Sequence, residues 1–238
     1  MRRFPGTAIL VTVLAAARVL AGQEAGYKDL SREEPNPLRH LKAHTDPSCG
    51  NVGGGSASSS VGDPPAWYPL KLSIDDLGVG TLTLGTEFTA MVRVQNVGKE
   101  SVQLPWLLDP QLFERPDQEG KYEYFDVSLL LTISQGKSSS HFLVPVRLYG
   151  SKSNPDSLVE VKPSEWLQLR TKIPLNCDGA LFGCKDLLSG PANVNFAWNE
   201  SRKTVAYQKC SIAGGSERGR YLTSEVLVRD IDASRVRP

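Results

Sequence analysis

The chain has 238 residues, 40% of them hydrophobic, and its 27 basic and 26 acidic side chains leave a formal charge of +1. That balance gives it no electrostatic reason to seek nucleic acid or an anionic membrane surface. At the start, Arg2 and Arg3 precede an apolar run over 8–17 and the small residues Ala21 and Gly22, the order of a secretory signal peptide. The apolar run is about half of the ~20 residues that a spanning helix needs, and Arg18 interrupts it. Val19 and Ala21 stand at the −3 and −1 positions of a cut after Ala21, with cuts after Gly22 or nearer Ala25 as rivals. The expected product is a soluble chain, secreted or periplasmic, with no membrane insertion after cleavage. Without residues 1–21, which hold three arginines and no acid, 24 basic face 26 acidic side chains, a net of −2.

Residues 22–65 read as a flexible arm. Pro35 and Pro37 are followed by Gly53, Gly54, Gly55, Ser56, Ser58, Ser59, Ser60 and Gly62, a linker composition. From about residue 66 the pattern changes to strands. Phe88, Ala90, Val92 and Val94 alternate with polar partners and stop at the turn residues Asn96-Val97-Gly98. Similar runs cover 70–74, 81–84, 101–104, 124–133, 142–149, 158–161, 166–173, 192–198, 204–212 and 222–231. No helical period lasts ten residues after Pro65. Around ten strands with one polar face each imply an all-β fold, an antiparallel two-sheet sandwich spanning 66–232 and followed by a tail at 233–238. At about 165 residues such a domain buries close to 70% of its unfolded surface, so its core does not depend on disulfides.

Three segments carry a resemblance: Val94-Gln95-Asn96-Val97-Gly98, then Val102-Gln103-Leu104-Pro105, then Val161-Lys162-Pro163-Ser164-Glu165-Trp166 running into Leu167 and Leu169. Together they resemble exported bacterial immunoglobulin-like domains over about half of the chain. The Cys–Trp–Cys spacing of antibody domains is missing, and the resemblance implies an architecture without functional residues.

Four cysteines in an exported chain favour disulfides. Cys177 and Cys184 flank a six-residue loop with Gly179 and Gly183, and closing it is worth roughly 2.5 kcal/mol on the chain-entropy model. Cys49 and Cys210 are a possible second pair. A zinc site wants closer CxxC pairs, so no metal or other cofactor is expected. His40 and His44 share a helical spacing but lack the Glu of HExxH, and Pro47 follows. Ser138, Ser139 and Ser140 before His141 lack a nucleophile elbow. Asp75 and Asp76 before Gly78 read as a turn before they read as a calcium loop. Asn199-Glu200-Ser201 is an acceptor sequon.

The apolar segment with Trp106, Leu107 and Phe113 is a candidate contact patch or, alternatively, a cap over the core. Leu181 and Phe182, at the tip of the Cys177–Cys184 loop, are the other candidate binding residues. The expected function is therefore a non-enzymatic β-sandwich module that binds a protein or a glycan, or serves in an envelope assembly. Two alternatives stand beside it. One is a protease inhibitor presenting the Cys177–Cys184 loop; the other is a hydrolase gathering several of Asp75, Asp76, Glu123, Asp126, Glu165 and His141.

Overall fold

Alternation of apolar and polar side chains builds nearly every element of this chain. The computed structural model describes residues 24–33, 69–108, 120–177, 184–208 and 211–235. Among them lie twelve strands and no α-helix: β1 (Glu24–Asp29), β2 (Leu70–Asp76), β3 (Thr81–Thr83), β4 (Glu87–Asn96), β5 (Val102–Pro105), β6 (Gly120–Gln135), β7 (Ser138–Gly150), β8 (Leu158–Val161), β9 (Trp166–Pro174), β10 (Gly190–Gln208), β11 (Ser211–Thr223) and β12 (Leu227–Asp232). The fold is all-β, as the alternation predicts. None of the helices among the described residues is long and apolar enough to cross a membrane.

The strands form a four-stranded sheet in the order β1-β9-β4-β2, a six-stranded sheet running β3-β12-β10-β6-β7 with β11 also on β10, and a two-stranded ribbon of β5 and β8. Inward residues of the first two sheets share one apolar core. Leu72, Val92, Val94, Leu167 and Leu169 come from the four-stranded sheet, and Leu131, Ile133, Phe142, Val194, Phe196 and Trp198 from the six-stranded one. Each such buried side chain contributes roughly 1.5–3 kcal/mol relative to exposure.

Four expectations are corrected. β1 lies inside the stretch 22–65 read as an arm; it pairs with β9 from Glu24 to Asp29, and Leu30 after it is buried. The rest of that stretch beyond residue 33, with His40, His44 and Cys49, and also residues 1–23, lie outside the described residues. The sheets are not purely antiparallel, because β1 runs parallel to β9 and β3 parallel to β12. The β5–β8 ribbon makes a third sheet. Finally, the runs 192–198 and 204–212 belong to one nineteen-residue β10 and the start of a hairpin partner, β11.

The alternation blurs there because β10 changes partner along one edge. It pairs with β12 up to Val194 and with β11 from Ala197 onward. Ser224 fills the gap: its N–H donates to the Phe196 carbonyl at 2.8 Å, and its hydroxyl accepts from the Phe196 N–H at 2.9 Å. Both backbone groups of Phe196 are thereby paired at the switch.

Asn96 closes the other critical junction. It is fully buried, and its side-chain amide donates to the carbonyls of Glu100 at 2.7 Å and Val161 at 2.8 Å while its oxygen accepts from the Gly98 N–H at 2.9 Å. This ties the end of β4 to β8 and satisfies the buried amide. A Cβ at Gly98 would sit 2.5 Å from Pro69 Cβ, so the turn that Asn96 organises accepts only glycine there without a shift. β7 is an edge strand whose pairing with β6 is broken between Leu143 and Arg147, opposite Ser128–Leu130, and Pro145 sits in that break, where its missing N–H costs no ladder bond.

Candidate binding face

The outward side of the four-stranded sheet brings aromatic, amide and charged side chains together. Because side chains alternate along a strand, Leu167 and Leu169 on β9 face the core while Trp166, Gln168 and Arg170 face out. On β4, Val92 and Val94 are buried, and Met91, Arg93 and Gln95 are half-buried on the outer side. The register places Tyr27, Gln168, Arg93 and Ser73 in one row across β1, β9, β4 and β2.

Asp75, at the end of β2, organises that row. One of its oxygens accepts from Arg93 Nε at 3.0 Å, from Arg93 Nη2 at 3.0 Å and from Gln168 Nε2 at 2.7 Å. The held guanidinium lies 4.9 Å over the Trp166 ring, a cation–π contact. Tyr27 is 46% exposed beside Gln168. The face therefore pairs a wet tyrosine with an indole fixed by a neighbouring ion pair.

β1 contributes Tyr27 and Asp29, and its inward side explains why it docks. A Cβ at Gly26 would lie 3.3 Å from both Leu167 and the Trp106 ring, a tight contact that the glycine relieves. Lys28 points inward, with its amine over the Trp106 ring at 4.6 Å and donating to the Trp106 carbonyl. Burial pushes the Lys28 amine below its ordinary pKa, partly opposed by Glu33. At the strand's exit, Asp29 accepts from the Ser31 hydroxyl at 2.5 Å and the Ser31 N–H at 3.0 Å, and Arg170 lies 3.6 Å away. Chiefly through the Ser31 hydroxyl bond, and against a small burial effect, its carboxyl is held below the ordinary aspartate value.

Of the residues singled out from the sequence, Asp75 lies on this face, and the candidate contact residues fall elsewhere. Trp106 packs half-buried against the core and under β1, its N–H bonded to the carbonyls of Tyr149 and Ser157. Leu107, also half-buried, exchanges backbone bonds with Tyr149 at 2.9 and 2.7 Å. Phe113, Leu181, Phe182 and Cys210 lie outside the described residues. Cys177 and Cys184 form a disulfide with a Cα separation of 5.3 Å, and Cys184 is buried against the core.

The candidate carboxylates are dispersed. Asp76 accepts from the Gly78 N–H at 2.9 Å, while Asp126 is buried on β6 with Arg147 Nη1 at 2.9 Å. Glu165 accepts from the Lys162 N–H at 2.9 Å in the turn before β9, and His141 meets the Thr132 hydroxyl at 3.0 Å on β7. The side chain of Glu123 is not among those described. Among the described residues no three His, Cys, Asp or Glu side chains gather as metal ligands. Asn199 of the sequon sits mid-strand in β10 between Ser128 and Tyr221, its side-chain oxygen buried without a hydrogen bond.

Sequence reasoning missed Tyr27 and Asp29 because Gly26 and Lys28 occupy the inward positions of β1, where an alternation search looks for apolar residues. The signal that marks them is the run Gly26, Lys28, Leu30 at period two.

No protein-family model matches the chain, and no curated protein matches it. Solved structures that resemble it do so remotely. They include the β-glucosidase from Listeria innocua, at 10% identity and TM-score 0.26 over 69% of this chain, and the sporulation control protein Spo0M from Bacillus subtilis, at 13% and 0.26 over 69%. A third is AvmM, described as catalysing macrocyclization in alchivemycin A biosynthesis, at 10% identity and TM-score 0.27 over 69% of this chain and 89% of its own. The matched stretch spans 16% of the β-glucosidase and 50% of Spo0M. Likenesses this distant carry no argument about activity.

Proposed function

We propose that the chain is an exported, non-enzymatic module, an immunoglobulin-like sandwich of its two larger sheets, that binds a glycan through the outer face of the four-stranded sheet. The leader-like residues 1–21 and the Cys177–Cys184 disulfide support export. The shared core of the two sheets supports the sandwich. The observation that carries the binding reading is the row of Tyr27, Gln168 and Arg93 beside Trp166, with Asp75 fixing the donors. Sugar rings present apolar C–H faces to aromatic rings and hydroxyls to amides, guanidinium groups and carboxylates, and this face supplies each of those partners on one rigid sheet.

The test is retention of the leaderless chain on immobilised polysaccharides, set against a Tyr27→Ala, Trp166→Ala double variant. Loss of retention in a variant that melts like the parent supports the reading; unchanged retention sinks it.

A second reading keeps the disulfide as its warrant. Cys177 and Cys184 hold the ends of the 178–183 loop together, as a presented inhibitory loop requires. Slowed turnover by a panel of serine and cysteine proteases, abolished by Cys177→Ser with Cys184→Ser, would establish it; no effect on any of them removes it.

A further inference from the structure

Resting on the glycan reading of this same face, we infer that its ligand is an uncharged polysaccharide, and that acidic or sulfated glycans are excluded. The warrant is how the charges on the face are spent. Arg93 lies 3.0 Å from Asp75, Lys172 lies 2.6 Å from Glu87, and Lys71 lies 3.2 Å from Glu225. Arg170 and Arg32 share Asp29, at 3.6 and 3.8 Å. Every one of these five cations has a carboxylate of the protein within 4 Å: Asp29, Asp75 and Glu87 come from β1, β2 and β4, and Glu225 reaches Lys71 from the β11–β12 connection of the other sheet.

An anionic ligand is recognised by cations that it can neutralise. Here a uronate or sulfate would compete with a tethered carboxylate for each cation, at the effective concentration of a side chain already in place. It would also meet the negative charge of the group it displaced. The internal carboxylates thus act against acidic ligands. A neutral sugar meets no such penalty, because its hydroxyls both donate and accept. They can bond to an ion pair's outward lone pairs and N–H groups without separating the charges.

The arrangement of the row agrees with this. Gln168 is an uncharged donor and acceptor at the centre of the face, between the exposed Tyr27 on one side and Arg93 on the other. Trp166 has one ring face under the Arg93 guanidinium and is half-buried, and the exposed Tyr27 ring is the open apolar contact for a sugar. Tyr27 stands opposite Gln168, and Trp166 lies two residues along β9 from it, so two aromatic groups on adjacent strands flank an amide, as suits a run of pyranose units.

The experiment compares the leaderless chain on uncharged polysaccharides (β-glucan, xylan, mannan, chitin) with polygalacturonate and a sulfated glycan, at about 20 mM and about 500 mM salt, which spans strong and weak screening. The expected result is binding to at least one uncharged polymer, changing less than about twofold with salt and weakened about five- to tenfold by Tyr27→Ala, the range that loss of one aromatic contact gives. A melting temperature for Tyr27→Ala equal to the parent's separates lost contact from lost fold. Binding only to the acidic polymers, falling steeply with salt, overturns the inference and leaves the glycan reading in place. Binding to none of them overturns both.

Discussion

The two faces of the four-stranded sheet are made by the same strands with opposite chemistry. On the inner face Val92, Val94, Leu167 and Leu169 are entirely buried, and their contribution is transfer out of water and close packing. On the outer face the neighbours of those residues are Met91, Arg93, Gln95, Trp166, Gln168 and Arg170, all half-exposed, and order there comes from cross-strand hydrogen bonds and ion pairs. The difference teaches that the packing that holds this sheet and the polar order of its outer face come from separate sets of residues. The inner residues fix the sheet, and the outer ones are free to be chosen for what they touch.

Substitutions break or sharpen that contrast by their size. The largest effect belongs to the inner face: Leu169→Ala removes a fully buried side chain and is expected to cost about 2–5 kcal/mol in urea unfolding. A loss near zero would mean that this face is not packed as described. Next comes the disulfide beside the core. Replacing Cys177 and Cys184 by serine is expected to cost roughly 2.5 kcal/mol through the chain entropy of an eight-residue loop, read as a lower urea midpoint under non-reducing conditions.

Outer-face changes are smaller. Asp75→Asn leaves a hydrogen-bonding group near Arg93 and Gln168 and removes a partly exposed ion pair, so its effect on stability stays under about 1 kcal/mol. A cost as large as that of Leu169→Ala would erase the separation between the faces.

The smallest effect is a pH dependence at β1. The folded Asp29 carboxyl is held below its ordinary pKa, chiefly by the Ser31 hydroxyl. Asp232, held low in the same way by Ser234, acts with the same sign. A depressed aspartate stabilises the fold at pH values above its unfolded pKa of about 4, and this contribution disappears as pH falls through the lower folded value. Asp29→Asn is expected to flatten part of the acid limb of melting temperature against pH and to leave the neutral region nearly unchanged; an unaltered acid limb contradicts the assignment.

How much of this was legible in the sequence follows from where each partner sits along the chain. β4 and β9 were legible, because their alternation is local and their inward residues are apolar apart from Thr171 and the turn residue Asn96. So was the Cys177–Cys184 pair, whose spacing alone favours closure. The Asn96 turn was legible as a turn, but its role in tying β4 to β8 depends on Val161, sixty-five residues away. β1 was hidden because Lys28 sits inward, made acceptable only by the ring and carbonyl of Trp106, seventy-eight residues on. Trp106 itself was visible as an apolar residue, yet nothing nearby said that it would pack under a strand from the start of the chain. The outer face was invisible for the same reason: Tyr27, Asp75, Arg93 and Gln168 become one row only through register.

The central claim is that the outer face binds while the inner face only holds the sheet together. Its most direct measurement is polysaccharide affinity and melting temperature taken together on the Tyr27→Ala, Trp166→Ala variant. The account predicts a melting temperature within a few degrees of the parent, as for partly exposed sites, and affinity reduced at least about tenfold. Parent-like affinity in that folded variant would contradict it.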